Sequence, residues 1–168
     1  MSNEPGRIPQ DEPLAYFLTW TTYGSWLPGD ERGWFKKPGE FQAPDAKREE
    51  GARRLLTEPP LTLDPGQRAA VERTIAEHCR IRGWHLHAVN CRTRHVHVVV
   101  TAPARAPDVV MDQFKAWCTR RLKERDRVGS SAGRPVRQNW WTQRGSKRWL
   151  NDATSLEGAI RYVLECQD

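Results

Sequence analysis

His95 and His97 stand two residues apart at the head of the apolar run HVHVVV. Alternate side chains of a β-strand share a face, so both imidazoles project together, about 7 Å apart along the strand. Val99 follows them on that face, while Val96, Val98 and Val100 point the other way into a core. Two imidazoles so placed can converge on one divalent ion if a third ligand comes from elsewhere. The pattern is generic, and the chain repeats it at His85 and His87 in WHLHAVN. Only His95 and His97 lead into an uninterrupted β-branched run, so His85 and His87 read as structural histidines. No G-x-S-x-G, P-loop, C-x-x-C or H-E-x-x-H motif supplies a familiar nucleophile or cofactor cradle. Of the three tyrosines, Tyr16 lies inside a strand pattern, Tyr23 at its end, and Tyr162 in AIRYVLECQD. Leu156, Ile160, Val163 and Leu164 mark one face of a closing helix. Tyr162 is rotated about 100° from Val163, at the edge of that face. A tyrosine there can pack its ring and still present its hydroxyl to a neighbouring strand. Helix geometry alone leaves it open between a core aromatic and a nucleophile.

The elements that would position these residues follow from pattern and punctuation. Residues 1–13 read as a flexible tail, and a single domain spans 14–168. LAYFLTWTT, rich in β-branched and aromatic residues, predicts the first strand. A loop insertion follows at about 23–60, with a stretch at 41–60 that reads as flexible surface. Asp64-Pro65 predicts a helix start and Gly83 its stop, with Val71, Ile75 and Cys79 at helical spacing between them. WHLHAVNCR and HVHVVVTA predict adjacent strands of a hairpin. A second helix is expected from Asp108, with Val110, Phe114, Trp117 and Leu122 inward. NWWTQ and KRWLN read as short strands around a turn at RGS. The order β-α-β-β-α-β-α predicts an α+β, ferredoxin-like (RRM-like) antiparallel sheet with packed helices and a C-terminal helix that bears Tyr162.

Charge along the chain suggests a partner. Residues 1–84 hold 12 Lys/Arg and 13 Asp/Glu, whereas residues 85–168 hold 15 and 8. Between Gln113 and Arg148 stand 11 basic residues opposed only by Glu124 and Asp126. Such asymmetry is the footprint of a polyanion, of which nucleic acid is the commonest, although a solubilising face shares it. Eight tryptophans strengthen the nucleic-acid reading, since indoles stack on unpaired bases. The candidate phosphate contacts are Lys115, Arg120, Arg121 and Lys123 on the second helix, with Arg144, Lys147 and Arg148 around RGS. The N-terminus lacks the apolar run of a signal peptide, and no stretch is long enough to span a membrane, so a cytoplasmic protein is expected. The four cysteines are widely spaced and match no zinc site.

At this point the sequence resembles a known family. GWHLHAVNCRTRHVHVVVTAP is similar to the central hairpin of the HUH-type single-tyrosine transposases of insertion sequences, in particular the REP-associated branch. FLTWTTYGSWLPGDERGW resembles that branch's first strand and following loop, and MDQFKAWCTRRLKE its second helix. WWTQRGSKRWL resembles the linker to the tyrosine helix, and AIRYVLECQ that helix itself. The resemblance runs from about residue 14 to 167, with every segment in order. It implies an enzyme that cuts and rejoins single-stranded DNA, often beside hairpins, without a nucleotide cofactor. Tyr162 would attack the phosphate to give a 5′-phosphotyrosine, and His95 and His97 would hold a divalent metal, Mg2+ or Mn2+. The family often places an amide ligand four residues after the tyrosine; here that position is Cys166, a soft donor poorly suited to either ion. The resemblance therefore points to Gln167 as third ligand, with Glu165 as the alternate. DNA, single-stranded or hairpin, is the implied partner, and a homodimer is as compatible with the family as a monomer. The competing reading is a domesticated or inactive relative that serves as a single-stranded nucleic-acid-binding module, a task that RRM-like sheets also perform.

Overall fold

The computed structural model describes residues 12–37, 39–129 and 133–165. The tail expected over 1–13 falls largely outside them, as do Cys166 and Gln167. Four strands form the main sheet: β1 (Ala15–Thr22), β4 (His85–Cys91), β5 (His95–Thr101) and β6 (Trp141–Leu150). Their spatial order is β4-β5-β1-β6, and every neighbouring pair is antiparallel. Two helices cover one face of this sheet, α2 (Pro65–Arg82) and α3 (Pro107–Gly129), and α4 (Ala153–Glu165) lies on the other. The chain is thus an α+β fold, with two β-α-β excursions interleaved in one antiparallel sheet.

Local chemistry explains the principal boundaries. Asp64 caps α2 through Gln67 N–H, and the Gln67 side chain returns the bond to Asp64 N–H, with Pro65 opening the helix. Gly83 ends it in the left-handed region at φ 71°, where a side chain would be strained. The period-2 alternation of β1 and β5 sends Leu18, Trp20, Val96, Val98 and Val100 under α2 and α3. Ala15, Phe17 and Val99 take the opposite side, under Ala159 and Val163 of α4.

Three expectations are corrected. The RGS segment is no turn, because Trp141–Leu150 is one edge strand with a register shift opposite Trp20 and Thr22 of β1. Gly145 is needed there for contact rather than for turning. A Cβ on it would come within 2.6 Å of Thr19 O and 2.7 Å of Met111 Sδ, so α3 closes onto the sheet only over a bare Cα. Trp117 does not point inward; it is 37% exposed, and Met111 and Cys118 fill the inner face of α3 with Val110, Phe114 and Leu122. The insertion also carries structure of its own: a small ribbon of β2 (Trp34–Phe35) and β3 (Phe41–Gln42), then α1 (Ala46–Arg54). Its two ends are tied together, Leu61 N–H donating to Tyr23 O at 2.9 Å and Thr22 Oγ1 to Leu61 O at 2.7 Å. The stretch lacked a helical apolar stripe because α1 buries no residue, so periodicity had nothing to report.

Gly145→Ala is expected to destabilise the fold by about 1–3 kcal/mol, the usual cost of overpacking a filled site. Met111 can yield at its flexible end, but the Thr19 carbonyl is sheet backbone and cannot. Urea denaturation of the variant against wild type measures the loss, and unchanged stability would mean that β6 can drift away from β1 without cost.

Candidate active site

The face of the sheet beneath α4 gathers the residues singled out by chemistry. His95 and His97 project from β5 with ring centroids 4.7 Å apart. Tyr162, on the last turn of α4, packs edge-on against His97, with centroids 5.8 Å apart and planes at 87°. Phe17 of β1 completes the packing, 5.9 Å from both the Tyr162 and the His97 rings. Tyr162 remains 47% exposed, a ring wedged at the edge of the helix stripe as its spacing predicts. The other tyrosines are spent structurally: Tyr16 donates its hydroxyl to Arg105 O at 2.6 Å, and Tyr23 accepts from Thr57 N–H at 3.0 Å. Of the three, only Tyr162 stands beside the histidines.

Second contacts orient this cluster. Thr19 faces His97 across the β1–β5 pair and hydrogen-bonds its Nδ1 at 2.9 Å. That bond fixes the ring and makes Nε2 the nitrogen left for a ligand. Asn90, opposite His97 on β4, donates Nδ2–H to Val163 O at 3.1 Å and so ties the end of α4 to the sheet beside Tyr162. Phe17, Thr19 and Asn90 were not singled out by sequence. Alternation in FLTWTT does put Phe17 and Thr19 on one face, but their partners depend on strand register.

Electrostatics favour neutral imidazoles. Burial, with help from His95 and Arg92, holds His97 down to about 4. His95 is lowered as well, first by burial and then by the charges of Arg92 and Arg32. Neutral rings are the ligating form, and the pair fits a divalent cation that accepts nitrogen donors. Among the described residues no group of three or more His, Cys, Asp or Glu side chains is placed to hold a metal ion. Glu165 therefore forms no such group with the histidine pair; it is exposed at the end of α4. Gln167, the other expected third ligand, lies outside the described residues.

His85 and His87 sit on the same face but in a different role. A register shift between Leu86 and Ala88 bulges His87 out of the β4–β5 ladder, and its Nε2 bonds Thr101 Oγ1 at 2.7 Å. The ring of His87 lies 4.3 Å from that of His85, away from Tyr162 in the contacts it makes. Burial and the neighbouring His85 lower the pKa of His87.

The basic residues divide between the two faces. Arg148 pairs with Phe17 across β1–β6 and so belongs to the face of the histidines, whereas Lys147 points to the α3 side and pairs with Asp108. Arg120, Arg121 and Lys123 ride on α3, in the layer opposite α4. Arg120 lies 5.3 Å over the Trp117 ring, Arg121 pairs with Glu124 at 3.2 Å, and Lys123 donates to Gln138 Oε1 at 3.0 Å. Lys115 is half-buried, and its ammonium donates to Thr142 O and Arg144 O at 2.9 and 3.2 Å, fastening β6 to α3. Burial pushes its pKa down to about 8. Arg144 itself is exposed. The cations that act on the histidines are instead Arg92 and Arg32, from the β4–β5 turn and the insertion.

The fold is similar to that of a solved structure. A REP-associated tyrosine transposase bound to a REP hairpin superposes with a TM-score of 0.50 at 14% identity, over 97% of this chain and 70% of that one. The chain has the fold of that transposase. A candidate transposase from Deinococcus radiodurans aligns over 99% of this chain and 98% of its own, at 14% identity and a TM-score of 0.47. No family model matches the sequence, and no curated protein matches it either. No helix among the described residues is long and apolar enough to cross a membrane.

Proposed function

We propose that the chain is a transposase-type single-stranded DNA endonuclease and strand transferase with Tyr162 as its nucleophile. The observation that carries this reading is the packing of Tyr162 against His97, two residues 65 positions apart that the fold sets in contact. In the proposed reaction the Tyr162 Oη attacks a backbone phosphorus and gives up its proton. The P–O3′ bond breaks, the 3′ oxygen takes a proton, and the 5′ phosphate stays on Tyr162. Reversal by a different 3′-hydroxyl rejoins the strand, and the phosphotyrosine conserves the bond energy, so no ATP is needed.

A free phenol has a pKa of about 10 and is a weak nucleophile at neutral pH. His95 and His97 would hold a divalent ion, Mg2+ or Mn2+, which as a Lewis acid would stabilise charge developing on the phosphate oxygens. Thr19 keeps the His97 ring in its orientation, Asn90 holds the last turns of α4, and Phe17 fixes the plane of the Tyr162 ring. Arg148, Arg92 and Arg32 would draw the phosphate backbone to this face. The DNA hairpin bound by the REP-associated transposase suggests the substrate class, a single strand beside a hairpin foot.

The test is an oligonucleotide carrying a repeated imperfect hairpin from the host genome, incubated with and without Mn2+. Metal-dependent cleavage with protein retained on one product is the expected result. Tight binding with no cleavage would instead assign a single-stranded nucleic-acid-binding module on the same fold. Affinity should also fall with salt by about 0.7 log units per log unit for each phosphate neutralised on a single strand. A salt-independent affinity, measured by anisotropy, would remove the electrostatic basis of the reading.

A further inference from the structure

Three large aromatic rings of the insertion lie open to solvent: Trp26 is 40% exposed, Phe35 50% and Phe41 59%. They touch one another in series, Trp26 to Phe35 at 6.4 Å between centroids and Phe35 to Phe41 at 5.3 Å. A continuous aromatic surface of this kind marks a contact site more often than a scattered apolar residue does. Its parts are held in place. Trp26 Nε1–H donates to Gly33 O at 2.8 Å. The Phe41 ring occupies the space where a Gly33 Cβ would stand, 2.0 Å from that position, and Gly33 itself has φ +84°. The Arg32 guanidinium lies 5.1 Å over the Trp26 ring, fixed by the buried Asp30 carboxylate at 2.7 and 2.8 Å and by Ser25 O at 2.8 Å.

The segment that carries these rings joins the sheet beside the start of β5. The chain enters it from Thr22, whose N–H donates to the carbonyl of Arg94, the residue before His95, at 2.8 Å. Thr22 Oγ1 then bonds Ser25 Oγ at 2.6 Å, and Ser25 receives Arg32. Arg32, Lys36 and Lys37 stand near the rings in sequence, and Arg92 and Arg94 lie in the β4–β5 turn.

We propose that Trp26, Phe35 and Phe41, with Arg32, form a stacking platform for unpaired bases of single-stranded DNA that leads to the His95 end of the sheet. Every base offers a π-face, which an exposed indole or phenyl ring matches without reading sequence, and Lys36 and Lys37, next to Phe35 in the chain, suit the accompanying phosphates. Bases within a duplex keep their faces covered and gain nothing from such a surface. The proposal rests on the function above and names where that substrate lies beyond the reacting phosphate.

Trp26→Leu and Phe41→Leu keep apolar volume but remove the π-face, and Trp26→Phe restores one. Anisotropy with a mixed-sequence single-stranded DNA oligonucleotide, the matching duplex, and the same strand with abasic positions measures the contribution. The Leu variants should bind the intact single strand about tenfold more weakly. They should bind duplex as wild type does and lose the penalty that wild type shows for the abasic strand. Trp26→Phe should lie near wild type, and matching melting temperatures of Trp26→Phe and Trp26→Leu exclude loss of fold as the cause. Unchanged single-strand affinity in the Leu variants, with wild type still cleaving, overturns the platform and leaves the proposed function standing. Wild type that binds no single strand overturns both. A drop from dimer to monomer in the Leu variants at unchanged DNA affinity would mean that a second copy of the chain covers the rings, and this too overturns the proposal.

Discussion

Tyr162→Phe should abolish the covalent protein–DNA product while leaving the fold intact. A hydrolytic nuclease releases both ends to solvent, whereas a tyrosine nucleophile keeps one strand bound to the protein, so the adduct separates the two mechanisms. Wild type should give a species that survives denaturing gel electrophoresis and whose peptide map places DNA on Tyr162. The substitution removes only a hydroxyl; the ring remains to pack on Phe17 and His97, and α4 keeps Ala159 and Val163 in the core. Stability should therefore stay within about 0.5 kcal/mol of wild type. Deleting a covalent nucleophile costs on the order of 10^6-fold where it has been measured, which places the variant below detection. Tyr16→Phe and Tyr23→Phe lose bonds to Arg105 and Thr57, and should affect stability more than adduct yield. Cleaved ends with no adduct from wild type would point to activated water and sink the nucleophile assignment.

His97→Ala should remove cleavage and leave most of the affinity for single strands. His97 contributes one of two neutral nitrogen donors, while the cations that would contact phosphate are separate residues. The loss should exceed the about 10–100-fold that removing a hydrogen-bond partner of a ligand costs. Thr19→Val supplies the comparison, since it deletes the bond to His97 Nδ1 while keeping the ligand itself. Its cleavage rate and Mn2+ affinity, by titration calorimetry, should fall within that 10–100-fold range. His85→Ala should change neither by more than a few-fold, because the His85–His87 pair makes its contacts with Thr101 and not with Tyr162. Normal cleavage by His97→Ala would show that the histidine pair holds no reacting ion.

Much of this molecule is legible in local chemistry. Asp64-Pro65 and Gly83 bound α2 through capping and a left-handed stop, which depend on residues three or four apart. The alternation in HVHVVV sets His95 and His97 on one face whatever strand pairs beside it, because the period of a strand is intrinsic to its backbone. The position of Tyr162 at the edge of the helix stripe follows from 100° per residue in the same way. The assembly of these parts is not local. That α4 lies on the His-bearing face, so that Tyr162 meets His97, depends on which side of the sheet the chain crosses after β6. Burial of Ala159 and Val163 against Ala15, Val99 and Leu150 decides that crossing. Arg148 and Lys147, neighbours in sequence, part to opposite faces once β6 pairs with β1 as a single strand. Gly145, which reads as a turn residue among Arg and Ser, proves to be the point where Met111 closes on the sheet. The aromatic rings of the insertion carried no periodic signal, since they pack on each other across a ribbon of two-residue strands. Residue types and periods set what each segment could do; long-range burial and strand register, which no window of sequence contains, decided which segments do it together.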